Sequence, residues 1–317
     1  MIRLWLAFFL ALSASLAGAQ TWPAKPIRIV LQFPPGGSTD LVARILGQAL
    51  SQSLGQPVLV ENKPGADGAI AAESVMRADP DGYTYFLASN TAMMQVPLMR
   101  KNPPYDPLKN FTSVSLVGRY AYVLVVAPSL PAKNVAELLA YARGNPGRLN
   151  YGSYSGVTQL MHANLRLVSK VDITLVPYKG EAPTVVDIIG GHVQLTFATP
   201  TSTLVHIKEG KLRALATLLP SRFALLPEVP TAAEAGLPPF TAGTWAALFG
   251  PAKLPPEITA RMNKEIIAAM RRPDVREKID RQGFELAGST PEELSAFLQE
   301  QLGAWGRAFR EAGMNPE

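Results

Sequence analysis

The sequence predicts an α/β protein of two lobes that face each other across a cleft. Three observations carry that prediction. Short apolar strands alternate with amphipathic helices, and the alternation occurs twice, split by long extended stretches at Val114 to Val126 and Thr244 to Phe249. Loops rich in glycine, serine and threonine follow strand after strand, which would line a cleft from both sides. At 317 residues the chain also exceeds what one hydrophobic core usually organises.

The folded part is expected to begin after an export signal at residues 1–19. Arg3 supplies the positive start, Leu4 to Leu12 is almost wholly apolar, and Ala17-Gly18-Ala19 has the small-x-small cleavage pattern, leaving Gln20 as the first mature residue. The apolar run is too short to span a membrane comfortably. The chain has no cysteine, so an exported form relies on its core and not on disulfides, and thiolate metal sites are excluded. It also has no cysteine to carry a lipid anchor, so the expected compartment is the periplasm of a Gram-negative cell. The formal net charge of +5, which falls to +4 without Arg3, suits an anionic small molecule or an ordinary basic surface. The basic residues are spread out and not interleaved with aromatics, which argues against nucleic acid.

The rest of the chain is organised around Ile27 to Arg44. Ile27 to Phe33 is β-branched and apolar without helical spacing, as a buried strand requires. Pro34-Pro-Gly-Gly37 stops it, and Ser38 or Thr39 can cap a helix with Asp40 in its first turn. Leu41, Val42, Ile45, Leu46, Ala49 and Leu50 form the apolar face of that helix. Gly36-Gly37 lets backbone amides approach a ligand, and the helix start adds N–H groups with partial positive charge. The turn therefore reads either as an anion cradle or as a plain strand-to-helix connection. It is neither a Walker loop nor a G-x-G-x-x-G turn.

Further elements follow in order. Pro57 to Val60 is a short strand, and residues 69–77 form an alanine-rich helix. Tyr83 to Ala88 is a buried strand ending in Ser89-Asn90-Thr91, where ligands of open α/β sheets sit. Val114 to Val126 reads as one long strand passing between lobes, and Asn134 with Glu137 starts a helix reaching about Arg143. Leu149 to Tyr151 is a strand, its loop runs from Gly152 to Thr158, and a helix spans Thr158 to Ser169. Ile173 to Val176 is the next strand, with Pro177-Tyr-Lys-Gly180 after it. A helix from about Pro183 to Ile189 ends at Gly190-Gly191, as a left-handed cap would. Val193 to Phe197 and Leu212 to Thr217 are strands, and Thr244 to Phe249 returns to the first lobe. Helices near 256–270, 273–282 and 291–310 close the chain.

Taken together, these blocks resemble the periplasmic substrate-binding proteins of tripartite tricarboxylate transporters, the Bug family. The matching residues are Trp22-Pro-x-Lys-Pro-Ile-Arg-Ile-Val30, Phe33-Pro-Pro-Gly-Gly-Ser-Thr-Asp40, Gly55-Gln-Pro-Val58, Val60-Glu-Asn-Lys-Pro-Gly65 and Asp79-Pro-Asp-Gly-Tyr-Thr84. Asn150-Tyr-Gly-Ser153, Val176-Pro-Tyr-Lys-Gly180, Leu226-Pro-Glu-Val-Pro-Thr231 and Glu234-Ala-Gly-Leu-Pro238 complete a set spanning the mature chain in order. The resemblance implies a type II-like periplasmic-binding-protein fold, with parallel-rich sheets flanked by helices and joined by crossing strands. One lobe would take residues 20–120 and 246–317, the other 121–245, with hinges near 119–122 and 243–246.

It further implies a receptor that closes around a small organic carboxylate (a di- or tricarboxylate, an amino acid or an aromatic acid) and delivers it to an integral-membrane permease. A monomer without cofactor or metal is expected. The first lobe would hold one carboxylate through Pro35, Gly37, Ser38 and Thr39, with Ser89 and Asn90 nearby. The second would contribute Ser153, Tyr154, Thr158, His162, Tyr178 and Thr199. The chain departs from the family pattern at Tyr154 and Ser155, which are bulkier and more polar than the usual small residues, and at Leu175, where many members have histidine.

Other readings of single residues stay open. His162 can donate to a carboxylate or be structural, Lys179 can pair with ligand or be solvated, Tyr154 can stack on a ligand or cover the cleft, and Trp245 reads as core. The three histidines, His162, His192 and His206, lack metal-ligand spacing. A carboxylate sensor signalling to a membrane receptor would look the same in sequence. A periplasmic hydrolase built on Ser153 and His162 is the third class, although no G-x-S-x-G elbow occurs.

Overall fold

The computed structural model describes residues 22–219, 221–237, 244–281, 283–311 and 313–316. The expected export signal, and Gly243 of one expected hinge, lie outside them. The first sheet has six strands, ordered β11-β4-β10-β3-β1-β2, and the second has five, ordered β7-β6-β8-β5-β9. Those of the first are β1 (Ile27–Leu31), β2 (Val58–Asn62), β3 (Thr84–Ser89), β4 (Phe111–Tyr120), β10 (Trp245–Pro251) and β11 (Phe284–Leu286). Those of the second are β5 (Val123–Val126), β6 (Leu149–Ser153), β7 (Ile173–Pro177), β8 (Leu195–Ala198) and β9 (Arg213–Thr217).

Helices cover both faces. They are α1 (Ser38–Leu54), α2 (Ala69–Met76), α3 (Val96–Met99, continuing a π-turn at Thr91–Gln95), α4 (Val135–Gly144) and α5 (Gly156–Ser169). Then come α6 (Glu181–Ile189), α7 (Pro200–Lys208), α8 (Pro256–Arg271), α9 (Pro273–Asp280) and α10 (Pro291–Glu311). Strand alternation distributes the core: Ile27, Ile29 and Leu31 pack on one side of the first sheet and Val30 on the other. In β5, Leu124 and Val126 join the buried cluster that also holds Val30, while Val123 and Val125 face a third cluster. That shared cluster runs from Phe86, Trp245 and Trp305 to Tyr151, Leu165 and Phe197, so the two sheets meet through apolar side chains.

Each sheet is parallel in its β-α-β part and antiparallel where strands arrive from the other sheet. β1 pairs parallel with β2 and β3, whereas β10 runs antiparallel to both β3 and β4. In the second sheet β6 is parallel to β7 and β8, and β5 is antiparallel to β8 and β9. The expected single strand at 114–126 is in fact two. Ala121 and Tyr122 interrupt it, β4 lies in one sheet and β5 in the other.

This crossing aligns the ends that matter. Leu31 lies opposite Asn62 and Leu87, so β1, β2 and β3 finish along one edge. Ala246 opposite Ser89, and Trp245 opposite Arg119, put the start of β10 and the end of β4 on that same edge. Across the two-residue link, Val123 lies opposite both Ala198 and Thr217, which puts the ends of β8 and β9 beside it. The carboxyl ends of both sets of parallel strands therefore converge on the crossing.

Smaller differences have local causes. Helices α5 and α6 start two residues earlier than the sequence reading. A Ser155–Thr158 capping box fixes the first, and Pro183 sits within the first turn of the second, where a missing N–H is harmless. The left-handed residue after α6 is Gly191, at φ 78°, while Gly190 is still helical. The sequence reading assigned neither the helical segment 91–99 nor β11. Among the described residues, no helix is long and apolar enough to cross a membrane.

Candidate functional site

The first-lobe edge is built on the loop between β1 and α1. Pro34, Pro35, Gly36 and Gly37 are exposed, Ser38 is half-buried, and Thr39 and Asp40 are buried. Gly36 takes φ 87°, a conformation that favours glycine, and so turns the chain. Gly37 precedes the helix in extended conformation, with no side-chain cap on the first turn. A β-carbon built on Gly37 would meet nothing within 4 Å. The loop thus presents backbone, not side chains, to the space in front of it.

Asp40 braces this loop from behind. One carboxylate oxygen accepts the Gly36 N–H and the Arg44 Nε–H, each at 2.9 Å. The other accepts Arg44 and Asn62 Nδ2, also at 2.9 Å, and Asn62 Nδ2 lies 3.0 Å from the Phe33 carbonyl. Burial works to raise the Asp40 pKa, but the bonds from Arg44, Gly36 and Asn62 outweigh it and hold the group below its ordinary value. Thr39 bonds the hydroxyl of Tyr120, which packs edge-on against Phe284 with ring centroids 4.7 Å apart. The loop is therefore tied to the end of β4.

Ser89 ends β3 and Asn90 follows it on the same edge, and both are buried. The Ser89 N–H donates to Gln32 at 3.1 Å, and its hydroxyl accepts the Thr91 N–H at 3.3 Å. Asn90 Nδ2 has no hydrogen-bond partner although Asn90 is only 1 % exposed.

On the second-lobe edge the candidate residues separate into two groups. Thr158 is committed to its own turn: its hydroxyl accepts the N–H groups of Tyr154 and Ser155 and donates to the Ser155 carbonyl, each at 3.0 Å. The Ser153 hydroxyl lies 3.2 Å from that of Thr158. His162 is buried against Tyr151, and its Nε2 lies 2.7 Å from the Ile173 carbonyl. Burial lowers the His162 pKa, against the opposing pull of that carbonyl. Ser153 and His162 thus have other partners and are not hydrogen-bonded to each other.

Tyr154, Tyr178 and Thr199 have partners outside that turn. Tyr154 donates to the Phe197 carbonyl at 3.2 Å. Tyr178 donates to Asp187 at 2.6 Å, and its pKa is pushed up to about 12 by burial and by that carboxylate. Lys179 is exposed. Thr199 gives its N–H to Glu181, and its hydroxyl donates to the same carboxylate at 3.1 Å.

Glu181, the first residue of α6, is a residue that sequence reasoning does not single out. It accepts the Ser202 hydroxyl at 2.6 Å as well as both Thr199 donors. Burial raises its pKa, and the Ser202 and Thr199 bonds oppose the rise. Two more missed residues are Thr217 and Thr244, while Trp245, which reads as core, is buried in the shared apolar cluster. The Thr217 and Thr244 hydroxyls and the Trp245 indole N–H are buried without a hydrogen-bond partner, at strand ends on the two converging edges. Buried polar groups are nearly always satisfied, and with Asn90 these are among the buried polar atoms without a partner, others lying elsewhere at Trp22, Tyr85 and Glu285. Strand ends are legible in sequence, but which ends meet is set by sheet order.

The arrangement suits a small polar molecule held between two edges by amides and hydroxyls. Among the described residues, no group of three His, Asp or Glu side chains could hold a metal ion.

Comparison with known proteins gives a consistent picture. The profile of the family described as the tripartite tricarboxylate transporter family receptor matches residues 42–314. BugT of Bordetella pertussis is 36% identical over 303 residues, covering 95% of this chain and 93% of that protein. An R. palustris protein solved with adipate superposes with a TM-score of 0.83 at 31% identity, covering 93% of this chain and 100% of that one. MatC of Rhodopseudomonas palustris, solved with bound malate, gives a TM-score of 0.76 at 31% identity over 90% of this chain and 99% of its own.

Proposed function

The chain belongs to the tripartite tricarboxylate transporter receptor family, a family of solute-binding receptors, and from that premise we propose that its cleft captures a small organic carboxylate. The observation that most supports this is the exposed Gly36-Gly37 turn before an uncapped helix start, braced from behind by Asp40. A carboxylate in front of that turn accepts N–H groups whose dipoles already point outward. Arg44 is committed to Asp40, so the cradle keeps no buried, unpaired cation when empty. The adipate and malate held by two relatives agree with this chemistry.

Pro35, Gly37, Ser38 and Thr39 form the cradle in this reading, and Ser89 and Asn90 close its side. In the second lobe Tyr154, Tyr178 and Thr199 approach the ligand, while Ser153, Thr158 and His162 shape the loop and strand behind them. Residues 20–120 and 246–317 act as one lobe and 121–245 as the other, rotating about 119–122 and 243–246. The protein is exported to the periplasm by residues 1–19. It binds its ligand without altering it and hands it to a membrane permease.

The test is calorimetric titration and thermal shift against di- and tricarboxylates, amino acids and aromatic acids, with Gly37→Val beside the native protein. A ligand at about a hundred times its Kd adds about 2.7 kcal/mol of stability. The Gly37→Val side chain has open space around it and an ordinary backbone angle, so the variant should fold normally. It is expected to lose about a hundred-fold in affinity by occupying the carboxylate's place. An unchanged Kd in folded Gly37→Val would sink this site.

A further inference from the structure

The two edges of the cleft differ in charge. Glu181 opens α6 just after β7, and its carboxylate takes the Thr199 N–H, the Thr199 hydroxyl and the Ser202 hydroxyl, the donors at the start of α7. It is thus a carboxylate of the protein itself that fills this helix start. Among the described residues, no Lys, Arg or His lies within ion-pair distance of it. Its electrostatic neighbours include Tyr122, in the two-residue crossing between the sheets, and Tyr154, on the loop after β6. This carboxyl group therefore stands beside the crossing on which both edges converge.

We propose that Glu181 is a specificity-determining residue that bars a second carboxylate, so that the ligand carries one carboxylate for the first lobe and a hydrogen-bond donor for the second. The inference rests on the carboxylate reading of the first lobe. A second ligand carboxylate approaching this edge meets a like charge and finds the Thr199 and Ser202 donors already used. A distal hydroxyl, amide or ammonium group instead meets a carboxyl group with no cation of its own, and can take the place of a hydroxyl donor such as that of Tyr154 or Ser202. Polarity also fixes the direction of binding, with the carboxylate at Gly37 and the donor at Glu181. On this point the chain would differ from the two relatives that hold adipate and malate.

The experiment compares matched pairs on the purified protein: succinate with succinamate, and adipate with 6-hydroxyhexanoate and 6-aminohexanoate. The native protein is expected to bind the better donor-ended member of a pair about ten-fold or more tighter than its dicarboxylate. Glu181→Gln, which keeps the size of the side chain, should shrink that ratio about ten-fold, while the charge-keeping Glu181→Asp retains the preference. Should Glu181→Gln fail to fold, the native ratio together with Glu181→Asp still decides the matter. Tighter binding of dicarboxylates by the native protein, or a ratio untouched in folded Glu181→Gln, overturns the role of Glu181 and leaves the carboxylate reading standing. No binding of either series, nor of any acid in the wider panel, overturns both.

Discussion

Both lobes set a helix start at the end of a strand and place a carboxylate beside it, but they do so in opposite ways. In the first, the carboxylate belongs to the third residue of the helix itself, lies behind the loop and is paired with Arg44. In the second it comes from the neighbouring helix, fills the donor end of α7 from outside and pairs with hydroxyls and an amide only. The first arrangement stiffens a turn while leaving its front open. The second uses up the donors that an incoming anion would need. In the proposed reading, one residue type at similar helix ends makes one half of the cleft receptive to negative charge and the other half hostile to it.

The comparison breaks most visibly at Asp40. Asp40→Ala leaves Arg44, Asn62 and the Gly36 N–H without their shared acceptor and should cost about 3 kcal/mol, read from denaturant unfolding. The expected companion effect is weaker ligand binding, because Gly36-Gly37 loses its brace. The equivalent truncation Glu181→Ala should cost less, since the hydroxyls of Thr199 and Ser202 can turn to solvent or to the Thr199 carbonyl.

A pH series sharpens the same contrast. The Asp40 pKa is depressed in the fold, so its contribution is present above the unfolded value of about 3.9 and is lost as pH falls through the lower folded value. That of Glu181 is raised, so its contribution is full below the unfolded value of about 4.3 and is lost as pH rises through the folded value. Thermal midpoints between pH 3 and pH 7 should show the acid-side fall reduced in Asp40→Asn and the higher-pH fall reduced in Glu181→Gln. Identical profiles for both variants would erase the distinction between the lobes.

The smallest expected effect is at His162. His162→Gln should lower stability by about 1 kcal/mol through the bond to Ile173 and change Kd less than Gly37→Val does. A larger loss of affinity than of stability would bring this histidine to the ligand.

The same residues show what could be read in the sequence. The β1–turn–α1 unit is local, since its strand, its glycines and its apolar helix face all lie between Ile27 and Leu50. The ends of its strand and the start of its helix fall within two residues of the sequence expectation. Glu181 was not legible, because its importance depends on β8 ending beside β7 with β6 between them, a matter of sheet order and not of spacing. Thr158 and His162 show the converse. Their positions near a glycine loop were legible, but the capping box and the Ile173 carbonyl that claim them come from folding. Likewise the apolar run at 114–126 shows no break at Ala121-Tyr122, since both are as buried as the strands they separate.

The place of β10 has a consequence for how the molecule is made. This strand lies between β3 and β4, yet it comes only after every residue of the second sheet. During synthesis the amino-terminal half therefore emerges with two strands, β3 and β4, that lack the strand joining them until residue 245 and its successors arrive. The second sheet, whose strands are contiguous in the chain, has no such wait and can assemble first. A nascent or truncated chain ending before Trp245 holds every residue of the proposed carboxylate cradle but not the strand that joins β3 to β4. Such a chain carries unpaired strand edges and invites chaperones and proteases in place of ligand.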